Sequence, residues 1–455
     1  MDLVIAGATT ILEDRVQRLH VGIAGGRIAA LVDGDAPVPA AAKRIDADGL
    51  LLFPGAIDAH THFTAGHDDV VPEIEAGTAG AGKAGVTTVV EMPHQNPPAT
   101  TLARFLAKRD LFAAHSCVDF ALWGGLTGDN LAELKPMHEA GAAAMKGFMC
   151  SGRKDRAAGD ARGLPGLDDD QLSESFRVVA GFGGLIGLHA ENHDIIQGSM
   201  ARLKAACADG GRAHAAAQPE LAETEAVARA IHLAAHHGAR LHIVHLSSGE
   251  GARIISAARA AGQPVTVETC PQYLVLNEDD LERIGNIARC GPPIRPQATV
   301  DDLWSEVAGG AIDALTSDHC PYPAELKATP TIWDAAMGLT GIETTVPIFR
   351  GAALARGLDP VRIGAMTATG PARIFGLYGR KGAIAPGFDA DLVLVDPAAE
   401  TVVDAARFQG IAKWSPFDGT RWKGRVAATL LRGTPVYADG ALAAVPGAGR
   451  FQARG

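Results

Sequence analysis

Two histidines one residue apart, His60 and His62, close an apolar run that begins at Leu51. A strand has a side-chain period of two, so both imidazoles project from one face. Two neutral imidazoles converging from one strand end can share a borderline metal ion such as zinc. Such a centre needs more ligands. Four further residues of the right type stand at the ends of other apolar runs: Lys146, His189, His245 and Asp318. Chance placement would scatter them.

Each of the four has a metal reading and a structural one. Lys146 lies inside Ala142-Ala143-Ala144-Met145-Lys146-Gly147. Burial there disfavours its charged form, and a neutral amine can take up carbon dioxide as a carbamate with carboxylate-like oxygens. Alternatively its stem is buried and its ammonium reaches out to water. His189 and His245 end the runs at 184–189 and 240–245. A single strand-end histidine is commonly a hydrogen-bonded structural residue, but two in the position of the His-x-His pair favour ligands. Asp318, in Thr316-Ser317-Asp318-His319-Cys320, can bind a metal and act as a general base, or can cap a turn. His319 is placed to orient a ligand. Cys320 is read as packing and Cys150 as a pocket wall. His67, His94, His193 and His214 are read as pocket or surface residues.

The positioning elements follow a regular pattern. Eight short apolar runs, at 51–58, 86–91, 117–123, 142–148, 184–189, 240–245, 264–269 and 312–317, alternate with helix-like stretches. The clearest helix spans 223–235, with apolar residues at helical spacing and Gly238 as its stop. Eight such alternations predict an α/β fold, a (β/α)8 TIM-like barrel, with its active site at the C-terminal strand ends. The six ligand candidates end runs one, four, five, six and eight. Short strands separated by glycine turns at the N-terminal end, and runs at 382–396 and 426–433, have too little apolar surface to fold separately. They predict one small β-sandwich-like domain built from both chain ends, 1–52 plus 380–445, around a barrel at 53–379. Gly77-Thr78-Ala79-Gly80-Ala81-Gly82 matches no phosphate-binding glycine motif and is read as close helix packing.

Composition narrows the classes. The 455 residues are 47% hydrophobic and 20% charged, as in a globular protein. The net charge of -11, with no dense basic run, argues against nucleic acid or an anionic membrane as partner. No run of about 20 apolar residues offers a membrane span. The start lacks the basic and long apolar regions of a signal peptide, and the six cysteines form no CxxC pair. These features predict a cytoplasmic protein with reduced thiols.

Taken together, these motifs resemble the amidohydrolase superfamily, and within it the cyclic amidohydrolase branch of allantoinases, hydantoinases or dihydropyrimidinases, and dihydroorotases. The resemblance spans nearly the whole chain. It is carried by Pro54-Gly55-Ala56-Ile57-Asp58-Ala59-His60-Thr61-His62, Gly85-Val86-Thr87-Thr88-Val89-Val90-Glu91-Met92-Pro93, Val267-Glu268-Thr269-Cys270-Pro271, Gly291-Pro292-Pro293-Ile294-Arg295, Ser317-Asp318-His319-Cys320-Pro321 and residues 384–392. It implies two divalent metal ions, zinc with cobalt or manganese as alternatives. His60, His62, Lys146 and Asp318 would surround one ion, and His189, His245 and the carbamate of Lys146 would hold the other. A bridging hydroxide would attack a ring amide, with Asp318 taking its proton and passing it to the leaving nitrogen. The family also implies a homotetramer or homodimer.

Departures within the family point to the substrate. Dihydroorotase-like enzymes place an arginine, for a substrate carboxylate, where this chain has Thr64. Hydantoinases carry a tyrosine where it has Ser151. Both differences, with Glu91-Met92-Pro93 and Pro98-Ala99-Thr100, are most similar to allantoinases and imply a small neutral cyclic ureide, allantoin, opened to allantoate. Pro271-Gln272-Tyr273-Leu274 is more similar to hydantoinases, and residues 414–419 to dihydroorotase-like proteins. A hydantoinase, a dihydropyrimidinase or another cyclic imide or ureide hydrolase is the alternative. Thr64, Ser151, Asn96, Gly291 and Cys290 are the expected substrate contacts. A metal-free scaffold would have lost ligands that are present here, and a mononuclear deaminase would not need Lys146.

Overall fold

The computed structural model describes residues 1–64, 66–150 and 163–455. Eight strands form the barrel: β1 (Ala56–Thr61), β2 (Val86–Glu91), β3 (Asp119–Leu122), β4 (Met145–Phe148), β5 (Leu185–His189), β6 (Arg240–Ile243), β7 (Val265–Thr269) and β8 (Ala314–Leu315). Successive strands pair in parallel. Gly124–Gly125 continues the path of β3 and pairs with β4. The ring closes where Thr61 bridges His319 and the amide of His62 donates to the His319 carbonyl at 2.8 Å. Strands covered on both faces must be apolar almost throughout, and β1 and β2 are buried at every position.

Helices fill the gaps between strands. The expected helix at 223–235 is Glu220–His237, and Gly238 ends it at φ 63, a left-handed cap that suits glycine. The glycine-rich stretch lies in helix Val71–Ala84. A Cβ on Gly77 would come within 2.7 Å of Phe63, so that packing is as close as expected.

The first apolar run divides in two. Leu51–Pro54 belongs to the other sheet, and only the residues after Gly55 enter the barrel. A side chain on Gly55 would collide with Thr87 at 2.2 Å, so the crossing point has room only for backbone. That other sheet has nine strands from both chain ends. Leu51–Pro54 sits mid-sheet, parallel to Leu3–Ile11 and antiparallel to Leu392–Val402. Leu3, Ile5, Val21, Leu52, Leu392 and Leu430 form its apolar core. The segment 382–391, expected as strand, is mostly turns. The last residues return to the barrel: Arg450 and Gln452 bond the backbone of Phe120, and the Phe451 ring lies 5.7 Å from that of Phe120.

One buried ion cluster joins these parts. The ammonium of Lys381 reaches Asp119 at 2.5 Å, Asp391 at 2.6 Å and Asp389 at 3.0 Å, and Arg432 adds a second bond to Asp119. Asp119 opens β3, whereas Asp391 precedes strand Leu392–Val402. No helix among the described residues is long and apolar enough to cross a membrane. Cys117, Cys207, Cys270, Cys290 and Cys320 are free thiols.

Candidate metal centre

His60 is the fifth residue of β1 and His62 lies just beyond it. Their Nε2 atoms are 3.2 Å apart, and both lie 3.1 Å from one Asp318 oxygen. Glu268, the penultimate residue of β7, accepts from Nδ1 of His60 at 2.5 Å. That bond fixes the His60 tautomer and leaves its lone pair on Nε2. Electron-rich atoms therefore converge on one point, an arrangement that a divalent cation relieves.

The second group faces the first across the barrel mouth. The His245 ring lies 5.4 Å from His60 and 4.5 Å from His189. Glu191 holds Nε2 of His189 at 2.7 Å. Lys146, on β4, is fully buried, with its Nζ 4.7 Å from the Phe148 ring centroid. Neither Lys146 Nζ nor His245 Nδ1 has a hydrogen-bond partner among the described residues. Buried polar atoms are rarely left unpaired, so both fit a site built around a group that completes it. The donor set of imidazoles, carboxylate and amine suits zinc-like ions.

Protonation supports the same reading. Burial pushes the pKa values of His62 and His245 below the usual imidazole value, so both rings are neutral and can donate lone pairs. For His60, burial acts in the same direction, but Asp318 and Glu268 outweigh it and raise the pKa. Burial works against the Asp318 carboxylate, yet His60 and His62 hold its pKa well below the ordinary range. Burial lowers Lys146 to about 8, against the pull of Asp318 and Glu268, which enlarges its neutral fraction near neutral pH.

The backbone is strained here. His245 and Asp318 have φ of 40 and 50, in the left-handed region that non-glycine residues seldom occupy. Strain of this kind persists where the surroundings over-determine it, commonly at functional sites.

The expected substrate contacts are dispersed. The Thr64 hydroxyl is buried among Glu91, the His94 carbonyl and Lys108. Gly291 lies at the centre, where an added Cβ would stand 3.8 Å from His189 Cε1. The buried Cys290 thiol turns to the Pro292 carbonyl at 3.2 Å. Asn96 is exposed, before a cis peptide to Pro97. Ser151 lies outside the described residues. Cys150 shares a potential ligand cluster with His189 and Glu191, and its carbonyl is 3.1 Å from His193 Nδ1. The His94 ring is 4.8 Å from His62, whereas His67 bonds the Pro321 carbonyl and His214 the Cys290 carbonyl. The His319 ring is engaged by Glu73 and the amides of residues 341 and 342, so it is the His319 backbone that braces β1. The Cys320 side chain packs against Gly338.

Two carboxylates escaped the reading of the sequence. Besides His60, Glu268 bonds His242 at 3.0 Å. Burial opposes its charge, but His60 and His242 keep its pKa below the usual value. Glu91 ends β2 and receives Thr61 Oγ1, the Phe63 amide and Thr64 Oγ1. Lys108 pairs with it at 3.1 Å, both side chains fully buried. An acidic residue closing an apolar run was the available signal in each case.

With six candidate ligands at the mouth of a parallel barrel braced by a β-domain, the class is that of a metal-type barrel hydrolase. The chain belongs to the amidohydrolase family, whose model matches residues 51–436. An allantoinase of Rubrobacter xylanophilus is 38% identical, covering 99% of this chain and 97% of its own. An L-hydantoinase of Paenarthrobacter aurescens is 35% identical over 100% and 98%. Among solved structures, the L-hydantoinase (dihydropyrimidinase) from Arthrobacter aurescens superposes with a TM-score of 0.94, at 35% identity and full coverage of both chains.

Proposed function

We propose that this chain hydrolyses a small neutral cyclic ureide with two divalent metal ions, and that the substrate is allantoin, opened to allantoate. The observation that carries this reading is the convergence of His60, His62 and Asp318 beside His189, His245 and Lys146. His60, His62, Asp318 and a carbamate of Lys146 would hold one ion. His189, His245 and the same carbamate would hold the other. Zinc is the expected metal. Such a pair polarises a ring carbonyl and lowers the pKa of the attacking water.

The chain's own groups do the rest. Asp318, ionised and at the centre, takes the proton of the attacking water and returns it to the leaving ring nitrogen. Glu268 fixes the His60 ring, and Glu91 holds the turn after His62. A neutral substrate fits Thr64, because the cation behind it, Lys108, is already neutralised by Glu91. No guanidinium stands at position 64 to clamp a carboxylate. The barrel, expected at 53–379 and entered only after Gly55, would carry the chemistry, and the β-domain expected at 1–52 and 380–445, which also takes in Phe53 and Pro54, would brace it. The free thiols of Cys117, Cys207, Cys270, Cys290 and Cys320 fit a cytoplasmic setting. A homodimer or homotetramer, carried over from the resemblance, is open to light scattering.

Ring-opening assays on the purified, metal-loaded protein decide the substrate. Allantoin should turn over well, with about two metals per chain. A second reading has support of its own, since the L-hydantoinase relative matches the full chain. Good turnover of dihydrouracil or 5-substituted hydantoins, with none of allantoin, would replace the first reading by the second.

A further inference from the structure

Lys327 is fully buried, lies outside the metal cluster and has no carboxylate partner among the described ion pairs. Its three ammonium protons meet three carbonyls: Arg289 at 3.0 Å, Ala336 at 2.8 Å and Gly338 at 2.9 Å. The Trp414 ring centroid is 5.2 Å away. An ammonium has three donors and no acceptor, so the cage uses its full capacity. Burial lowers its pKa to about 7, while Cys290 and Cys320 act in the opposite direction.

The three carbonyls belong to two segments that reach the metal centre. Arg289 precedes Cys290 and Gly291, and a Cβ on Gly291 would lie 3.8 Å from His189 and only 2.6 Å from Met337 Sδ. Ala336 and Gly338 flank Met337, which is 39% exposed between buried Ala335 and Leu339. The Met337 side chain therefore lies directly against the Gly291 backbone, beside His189. The amide of Gly338 also donates to the Arg289 carbonyl at 3.0 Å, and the Arg289 guanidinium donates to the Trp333 and Ala335 carbonyls. With one amino group Lys327 grips the backbone of both segments, at Arg289 on one side and at Ala336 and Gly338 on the other.

We propose that Lys327 is a positioning residue for substrate selectivity, tying residues 289 and 336–338 together so that the Met337 side chain, seated on Gly291, limits the ring substituent admitted beside His189. The inference rests on the ring-opening function proposed above. It predicts that the discrimination among ring substituents is held by a backbone tie, and that Met337 supplies the wall which the tie holds in place.

The test compares Lys327→Met and Met337→Ala with wild type, on allantoin and on hydantoins carrying methyl, isopropyl or benzyl at carbon 5. Lys327→Met keeps the stem and removes the donors. It should raise KM for the best wild-type substrate roughly tenfold, and flatten the ranking by substituent size, with metal content unchanged. Met337→Ala, at a half-exposed position, should move the ranking towards the larger substituents by a similar factor, whether or not the lysine variant folds. A wild-type ranking in Met337→Ala, or a folded Lys327→Met with wild-type KM and ranking, would overturn the proposal. If wild type binds two metals but opens none of these rings, the proposed function itself fails, an outcome distinct from an unchanged ranking in an active enzyme.

Discussion

Two buried clusters of metal-ligand residue types lie at opposite fates in this molecule. One gathers His60, His62 and Asp318 at the barrel mouth; the other gathers Asp119, Asp389 and Asp391 where β3 meets the β-domain. Each involves a non-glycine residue with left-handed backbone, Asp318 within the first and Arg432 paired with Asp119 of the second. They differ in what neutralises them. Lys381 sits among all three carboxylates of the second cluster, and Arg432 adds a second cation. At the barrel mouth Lys146 has an Nζ with no hydrogen-bond partner among the described residues, and a pKa lowered by burial. Clustered ligand atoms alone are a poor guide to a metal site. Whether the chain already supplies the counter-charge is the better one.

The largest expected effect breaks the contrast at the barrel mouth. Lys146→Ala should lose most bound metal and nearly all activity, with partial rescue by short carboxylic acids that replace the carbamate. Metal analysis alongside turnover checks it, and full activity would refute the role. Asp318→Ala should lower kcat/KM by roughly a thousandfold yet retain at least one metal.

Next comes the internal cation of the other cluster. Lys381→Met leaves buried carboxylates without their partner and should cost about 3–5 kcal/mol of stability, read from denaturant unfolding. Added calcium or manganese should restore part of that loss if the cluster, once stripped of its cation, behaves as a site. The loss also carries a pH signature. Burial works against the Lys381 charge, but Asp391, Asp119 and Asp389 outweigh it and raise its pKa. A raised lysine stabilises fully below its unfolded value, about 10.4, and that stability fades as pH climbs through the higher folded value. The gap between wild type and Lys381→Met should therefore hold up to about pH 10 and close above it.

The smallest effect sharpens the comparison from within the metal centre. Glu268→Gln keeps the shape but weakens the hold on His60, and should reduce metal affinity roughly 10- to 100-fold. Competition with a chelator measures it. An unchanged affinity would mean that β1 and Asp318 orient His60 without Glu268.

Much of this site is legible in one dimension because its logic is local. A strand end and a period of two place His60 and His62 on one face, whatever the rest of the chain does. The alternation of apolar runs with helical stretches carries the barrel, and the barrel rule places Lys146, His189, His245 and Asp318 at one end. The split of the first run at Gly55 is not legible, because Leu51–Pro54 and β1 are equally apolar and differ only in which sheet they join. Glu268, 208 residues from His60 in sequence, became visible as its orienting partner only once β1 and β7 stood across the barrel.

By itself, then, the sequence determined the fold class, the ligand types and their common end of the barrel, since hydrophobic periodicity and residue chemistry act over a few positions. The tertiary structure decided which charges find partners: Lys381 among three aspartates, Lys108 against Glu91, Lys327 within three carbonyls, and Lys146 with none among the described residues. The reason is physical. The cost of a buried charge depends on the groups that packing brings within a few ångströms, and those come from segments up to hundreds of residues apart.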